Sequence, residues 1–290
     1  MRLSMLGTGS YTIPLQNGQF SNPIATQSLF LVNKARQRSI GTKTGAASMH
    51  HVVGVAQFNL SFLFLIGVNM KIIPIVPMTK TQAAIVCGSL TSTSKMPCRS
   101  YSLPTEACKT GFKMAQIEGS ICSKCYADKG FYKMYEKNIK PAQFSRLDSI
   151  NGEFWVSGMV AHIGKDPFFR FHDSGDLQNL EHLEKIAAVC LATPDTRHWL
   201  PTREYGIIKE FIAKHGKNAV PKNLTIRLSA MYPDKPVQIP ASLQNVPGIT
   251  ASNVHTKTAI GTLCKAPQQN GACLDCRECW TDSVISYELH

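Results

Sequence analysis

The chain has 290 residues, 43% hydrophobic and 17% charged. That length buries a full core without disulfide staples, and the composition excludes collagen-like, coiled-coil and wholly disordered chains. The net charge of +12 is uneven: the first acidic residue is Glu106, every charge before it is basic, and the rest is nearly balanced, so the high pI is not in itself a nucleic-acid footprint.

Residues 1–78 are rich in Ser, Thr, Asn and Gln and show no sustained helical or strand period. They read as an N-terminal extension: either a flexible basic tail or sequence upstream of a later start, with Met70 or Met78 the more natural beginning. The first 30 residues lack a basic stretch followed by an apolar one, so no secretory leader is expected. The most hydrophobic run, 51–70, carries Gln57 and Asn59 and sits near the lower length limit for a membrane span. We expect no membrane association.

The second expected domain spans 79–290. Residues 97–125 are loop-like and hold Cys98, Cys108, Cys122 and Cys125. Helical patterns follow at 142–149 and 153–163. From residue 168 a regular alternation begins. Phe168–Phe171 reads as a buried strand entering the polar turn His172–Asp176, and 197–202 and 224–229 are two more strands. Helices at 180–190 and 204–214 lie between them. Strand starts about 28 residues apart match βα units. The expected fold is α/β, a partial or complete parallel βα barrel with cysteine-rich loops. In such folds working residues sit at the C-terminal ends of strands, which selects Asp173, Ser174, Gly175, Asp176 and Arg203.

The C-terminal cysteines Cys264, Cys273, Cys276 and Cys279 follow the pattern C-x8-C-x2-C-x2-C. Overlapping C-x2-C steps with a fourth thiol at a distance suit an iron–sulfur cube; a four-thiolate zinc site is the alternative, and plain redox or structural thiols are a third. Cys108, Cys122 and Cys125 would hold three irons of a second cube and leave the fourth iron open, unless Cys98 closes the set. One C-x2-C from each group could instead share a zinc. Cys87 and Cys190 read as packing residues. Clustered thiols of this kind point to a reducing, cytoplasmic compartment. One or two [4Fe–4S] clusters are thus the expected cofactors.

His172, Asp173 and Asp176 are candidates for acid/base work, although Asp173 and Ser174 could simply cap the next helix. Arg203 is a candidate anion holder. Tyr126, Phe131, Tyr132 and Tyr135 alternate with Lys124, Lys129, Lys133 and Lys137. That pattern suits either base stacking with phosphate neutralisation or a helix with its aromatics inward. No P-loop, dinucleotide fingerprint or hydrolase triad is present.

The segments SKMPCRSYSLP, Cys108, CSKCYA, FFRFHDSGD and the βα repeats resemble an uncharacterised bacteriophage family named for a gene product, number eighty-eight. The resemblance runs from about Gly88 to Trp280. It implies an iron–sulfur expectation, and residence in the host cytoplasm if the chain is phage-encoded. A more distant likeness is to radical S-adenosylmethionine enzymes, partial βα barrels with a three-cysteine loop after the first strand and a Gly-Gly-Glu turn after the second. It implies S-adenosylmethionine as a candidate cofactor, held near Cys108, Cys122 and Cys125 with Tyr126, Ser174 and Gly175 around it. The first cysteine gap is thirteen residues here where that family has three, and Tyr126 follows the last cysteine instead of preceding it.

The leading reading is therefore an iron–sulfur protein with a reactive or redox centre, acting on a small-molecule substrate or exchanging electrons with a donor. The alternatives are a zinc-stabilised nucleic-acid-binding module and a non-catalytic electron-transfer or sensor protein.

Overall fold

The computed structural model describes residues 73–289. The extension up to residue 72 and the apolar run 51–70 lie outside the described residues. Residues 73–78, read with the extension, are tied to the domain: Ile73 packs against the core, and the Val76 N–H donates to Ser157 Oγ at 2.9 Å.

Seven α-helices and eight strands follow in the described residues. Helix α1 (Lys80–Cys87) opens with a capping box between Thr79 and Gln82, which satisfies two of the free N–H groups at its start. Strands β1 (Thr91–Ser92) and β2 (Arg99–Tyr101) come next. Helices α2 (Lys109–Ala115), α3 (Gly130–Met134), α4 (Glu136–Ser149) and α5 (Trp155–Ile163) precede β3 (Phe168–Phe171). The βα alternation then runs α6 (Leu180–Ala192), β4 (Arg197–Thr202), α7 (Tyr205–His215) and β5 (Leu224–Ser229). Strands β6 (Ile249–His255), β7 (Thr262–Leu263) and β8 (Ile285–Glu288) complete the sheet.

Strands β2 to β6 lie side by side in chain order, followed by β8 and then β7. Every pair is parallel except β1–β2. Among the described residues the edges β1 and β7 do not pair with each other, so the sheet they form is open and does not close into the complete barrel among the expected forms. Short edge strands of two residues each leave too few ladder groups to close a ring.

Alternation along the strands divides the sheet into two faces. Phe169 and Phe171 of β3, Leu200 of β4, and Ile226 and Leu228 of β5 point to one face. There they meet Trp155, Met159, Leu183, Ile186, Ile208 and Phe211 from α5, α6 and α7 in the main core. The residues between them, Phe168, Arg170 and Trp199, face the other side. That face is covered by the cysteine-rich segment 264–282. The Trp280 ring packs edge-on against Phe168 and Trp199, and its indole N–H donates to the Phe169 carbonyl at 2.9 Å.

Among the described residues no helix is long and apolar enough to cross a membrane.

Candidate metal–thiolate sites

After β2 the chain crosses the C-terminal ends of the neighbouring strands, and this crossing carries the first cysteine group. Cys108 stands at the N-cap of α2. A methyl group built on Gly111 would lie 3.6 Å from Cys108 Sγ and 3.8 Å from Cys122 Sγ. The two sulfurs therefore flank a single point, and the glycine leaves it open. Cys125 is within electrostatic reach of both.

The loop is pinned at several places. The Ile121 N–H donates to the Met231 carbonyl beyond β5 at 3.0 Å. Lys109 Nζ donates to the Gln178 carbonyl at 2.6 Å. The Glu204 carboxylate accepts from the Thr110 N–H at 2.6 Å and from its hydroxyl at 2.8 Å. Glu204 is buried at the end of β4. It is a positioning residue that reading the sequence overlooked; 94 positions separate it from Thr110, and no local pattern links them.

Burial raises the thiols of Cys108, Cys122 and Cys125 above their ordinary range, while the Arg203 guanidinium nearby pulls all three down. The Asp176 carboxylate raises Cys108 further. Among the described residues none accepts a hydrogen bond from these three thiols. Cys87, a packing residue as expected, donates to the Ala83 carbonyl at 3.1 Å.

The turn after β3 ties strands together. Asp176 is buried and accepts from Thr202 Oγ1 at 2.6 Å, the Leu177 N–H at 2.7 Å and the Arg203 N–H at 2.8 Å. Burial pushes its carboxyl up to about 6 against the pull of those donors. The Ser174 hydroxyl donates to the Leu103 carbonyl at 2.8 Å, and Gln143 Nε2 donates to that hydroxyl at 2.7 Å. The Ser174 carbonyl accepts from the Leu103 N–H. Gly175 has φ +75, and a Cβ there would meet Leu103 Cβ at 2.5 Å. Ser174 and Gly175 are thus occupied in joining β3 to the loop after β2. The cap of α6 is Asn179, whose side chain accepts from the His182 N–H at 2.8 Å; neither Asp173 nor Ser174 serves it.

Asp173 is buried, and its Oδ1 has no hydrogen-bond partner among the described residues. Its Oδ2 accepts from the Tyr132 hydroxyl at 2.6 Å, and its carbonyl accepts from the Tyr126 hydroxyl. The two tyrosines, expected among the lysines as either stacking or inward rings, are held toward the turn by their hydroxyls. The Tyr126 ring remains half exposed. Arg203 donates from Nε to the Ala230 carbonyl at 3.0 Å.

The second cysteine group lies on the sheet face opposite the helices. The Cys264 N–H donates to the Ser286 carbonyl and the Cys273 N–H to the Lys95 carbonyl, both at 2.9 Å. Cys273 has Cys264 and Cys276 within electrostatic reach. Cys279 Sγ lies 3.3 Å from the Tyr287 hydroxyl and near Cys264 and Arg227. Arg227 is fully buried and anchors this segment. Its Nη1 donates to the carbonyls of Ala251 at 2.9 Å and Ser283 at 2.6 Å, and its Nη2 to Thr281 at 2.8 Å and Glu278 and Cys279 at 3.3 Å. Cys98 packs with Cys273 and Cys279 around Met96, Trp199 and Trp280. It belongs to this group and does not close the first one, because β2 carries the chain across the sheet between Cys98 and Cys108.

Among the described residues no three Cys, His, Asp or Glu side chains converge at the spacing of a single bound ion. The described cysteines all carry free thiols.

A protein-family model described as Gene product 88 matches residues 77–282. No curated protein and no solved structure matches the chain.

Proposed function

The chain belongs to the Gene product 88 family, and for this member we propose an iron–sulfur protein whose reactive or redox centre sits at the C-terminal ends of β2, β3 and β4. The observation that carries this reading is the meeting of Cys108, Cys122 and Cys125 beside Arg203 and Asp176. The donor set fits the group. It is all thiol, the ligand type that selects iron–sulfur clusters or zinc. The thiols are raised by burial, lack hydrogen-bond acceptors among the described residues, and have a guanidinium beside them to offset thiolate charge. Three thiols leave one position of a cluster for another ligand. When bound, such a cluster supplies one-electron chemistry and an open iron.

The chain's own residues then have definable tasks. Glu204 and Asp176 fix the loop and the strand ends around the thiols. Arg203 offers positive charge to an anionic substrate group. The Oδ1 of Asp173, which has no partner among the described residues, is a site for a substrate amine. A second centre on Cys264 and its neighbours exchanges electrons with the first or braces the segment; Arg170 lies within electrostatic reach of Cys98, Cys273 and Cys279 and of Tyr126, between the two groups.

A radical S-adenosylmethionine-like partial barrel is the finer form of this proposal. Parallel strands in chain order, with the cysteine loop after the first and the polar turn after the second, support it. The prior commitments of Ser174 to Leu103 weigh against a cofactor amine being held there. The substrate class is a small molecule or an electron donor, in a reducing cytoplasm.

The test is purification without oxygen, with iron, acid-labile sulfide and zinc measured beside the visible spectrum. About eight irons per chain with matching sulfide supports two cubane clusters, and about four supports one. Colourless protein with zinc and no sulfide, unchanged by attempted reconstitution, overturns the proposal in favour of a structural zinc protein.

A further inference from the structure

We infer that the C-terminal centre is held by Cys98, Cys264, Cys273 and Cys276, with Cys98 arriving from the strand side of the sheet and Cys279 outside the ligand set. This deepens the proposed function and rests on the reading of the cysteine groups as metal–thiolate sites.

The spacing C-x8-C-x2-C-x2-C selects four cysteines close in sequence, but the fold presents five. Cys98 immediately precedes β2, and Cys273 is stitched to the same stretch by its N–H bond to the Lys95 carbonyl at 2.9 Å. Both pack on the small cluster of Met96, Trp199 and Trp280. The thiol neighbours of Cys273 are Cys264 and Cys276, and Cys98 has Cys273 as its own. Cys273 is thus the hub of a four-thiol group.

Cys279 packs on the same small cluster but differs in what its sulfur meets: it is engaged with the Tyr287 hydroxyl and lies near the buried Arg227 and Cys264. A tyrosine hydroxyl and a guanidinium satisfy that sulfur without a metal. Arg170 and Arg277 lie near Cys98, and Lys95 and Arg170 near Cys273, supplying positive charge that a cluster of thiolates needs when taken out of water. A cavity of about 340 Å³, bounded by Met96, Cys98, Arg99, Asp166 and Phe168, opens beside Cys98 and gives metal an access path.

The experiment isolates the C-terminal centre by working in a Cys122→Ser background, full-length, reconstituted with iron and sulfide. Bound iron and the electron paramagnetic resonance of the reduced protein are read. Adding Cys98→Ser is expected to lower the remaining iron at least fivefold, and adding Cys279→Ser to leave it within twofold. Retained iron in the Cys98→Ser protein, or lost iron in the Cys279→Ser protein, overturns the inference. The single Cys98→Ser variant guards against misfolding, because a folded chain keeps the iron of the first group. Absence of iron and sulfide in the parent protein is a separate result, which defeats the proposed function itself.

Discussion

Glu204 grips Thr110 at two points, its carboxylate accepting both the backbone N–H and the side-chain hydroxyl. Thr110 stands two residues after Cys108, so the end of β4 sets where that cysteine's helix begins. A glutamate near a group of thiols has an unfavourable charge and raises Cys122, yet its carboxylate fixes the loop that carries them.

Replacing Glu204 with Ala leaves the part-buried N–H and hydroxyl of Thr110 without this acceptor. Stability is expected to fall by about 1–3 kcal/mol, read by urea denaturation. Iron bound by the first cysteine group is expected to fall severalfold while the second group keeps its share, and Glu204→Gln should restore part of it. Equal retention of both shares in the Ala variant would reduce Glu204 to a plain structural anchor.

Gly175→Ala tests the joint between β3 and the loop after β2. The added methyl would meet Leu103 Cβ at 2.5 Å and the Leu103 carbonyl oxygen at 2.8 Å, at φ +75. Left-handed backbone costs a non-glycine residue about 1–2 kcal/mol, and overpacking adds about 1–3 kcal/mol. A loss of at least about 2 kcal/mol in chemical denaturation is the expected outcome; an unchanged midpoint would mean the loop yields freely.

Arg227→Met removes a buried guanidinium that serves five carbonyls. The Glu278 carbonyl keeps the Thr281 N–H and hydroxyl as donors, but the others lose the guanidinium, so about 2–3 kcal/mol should be lost. Limited proteolysis is expected to nick the variant first between residues 264 and 284. Cleavage distributed evenly along the chain would show that other contacts hold the segment.

Acid stability should depend on His198. Its Nε2 faces Thr193 Oγ1 at 2.8 Å, and because that hydroxyl donates to the Val189 carbonyl, the imidazole is the donor and Nε2 carries the proton. Burial pushes the imidazole down to about 4, below its unfolded value of about 6.5. Its contribution is therefore complete above pH 6.5 and lost as pH falls toward 4. Between pH 7 and pH 5 the parent protein should lose about 1–2 kcal/mol more than a His198→Gln variant. His172 and His182 are also pushed down by burial and act in the same direction. Asp176, pushed up to about 6, acts oppositely, since its contribution is greatest at low pH. The difference between the two proteins isolates His198 from all three. Parallel pH curves would refute its part.

The elements visible in the sequence are those whose burial pattern is simple. Strands β4 and β5 match the expected bounds, and β3 ends where the polar turn begins; the inward positions of β3 and β5 are apolar, whereas β4 sets its inward Leu200 between buried His198 and Thr202 and is delimited by the charged residues Arg197 and Arg203. Strand β2 is only three residues long beside a proline-rich stretch. Strands β6 and β8 place polar Ser252, Asn253, His255 and Ser286 in the interior, where they satisfy one another and the backbone: Asn253 serves Val237 and Ile260, and His255 meets Ser286 Oγ at 2.8 Å. Such strands carry no hydrophobic alternation to read. Spacing marked both cysteine groups, but membership depends on topology. Glu204, Arg227 and the affiliation of Cys98 all rest on contacts across many tens of residues, where no periodicity reaches.

The covering of the second sheet face by 264–282 has a consequence during synthesis. Strands β3, β4 and β5 leave the ribosome well before the segment that shields Phe168 and Trp199. For that interval the nascent chain exposes an aromatic surface and an Arg227 whose carbonyl partners at 278–283 do not yet exist. Chains arrested before residue 264 are expected to be captured by chaperones or to aggregate, while completion of the segment releases them.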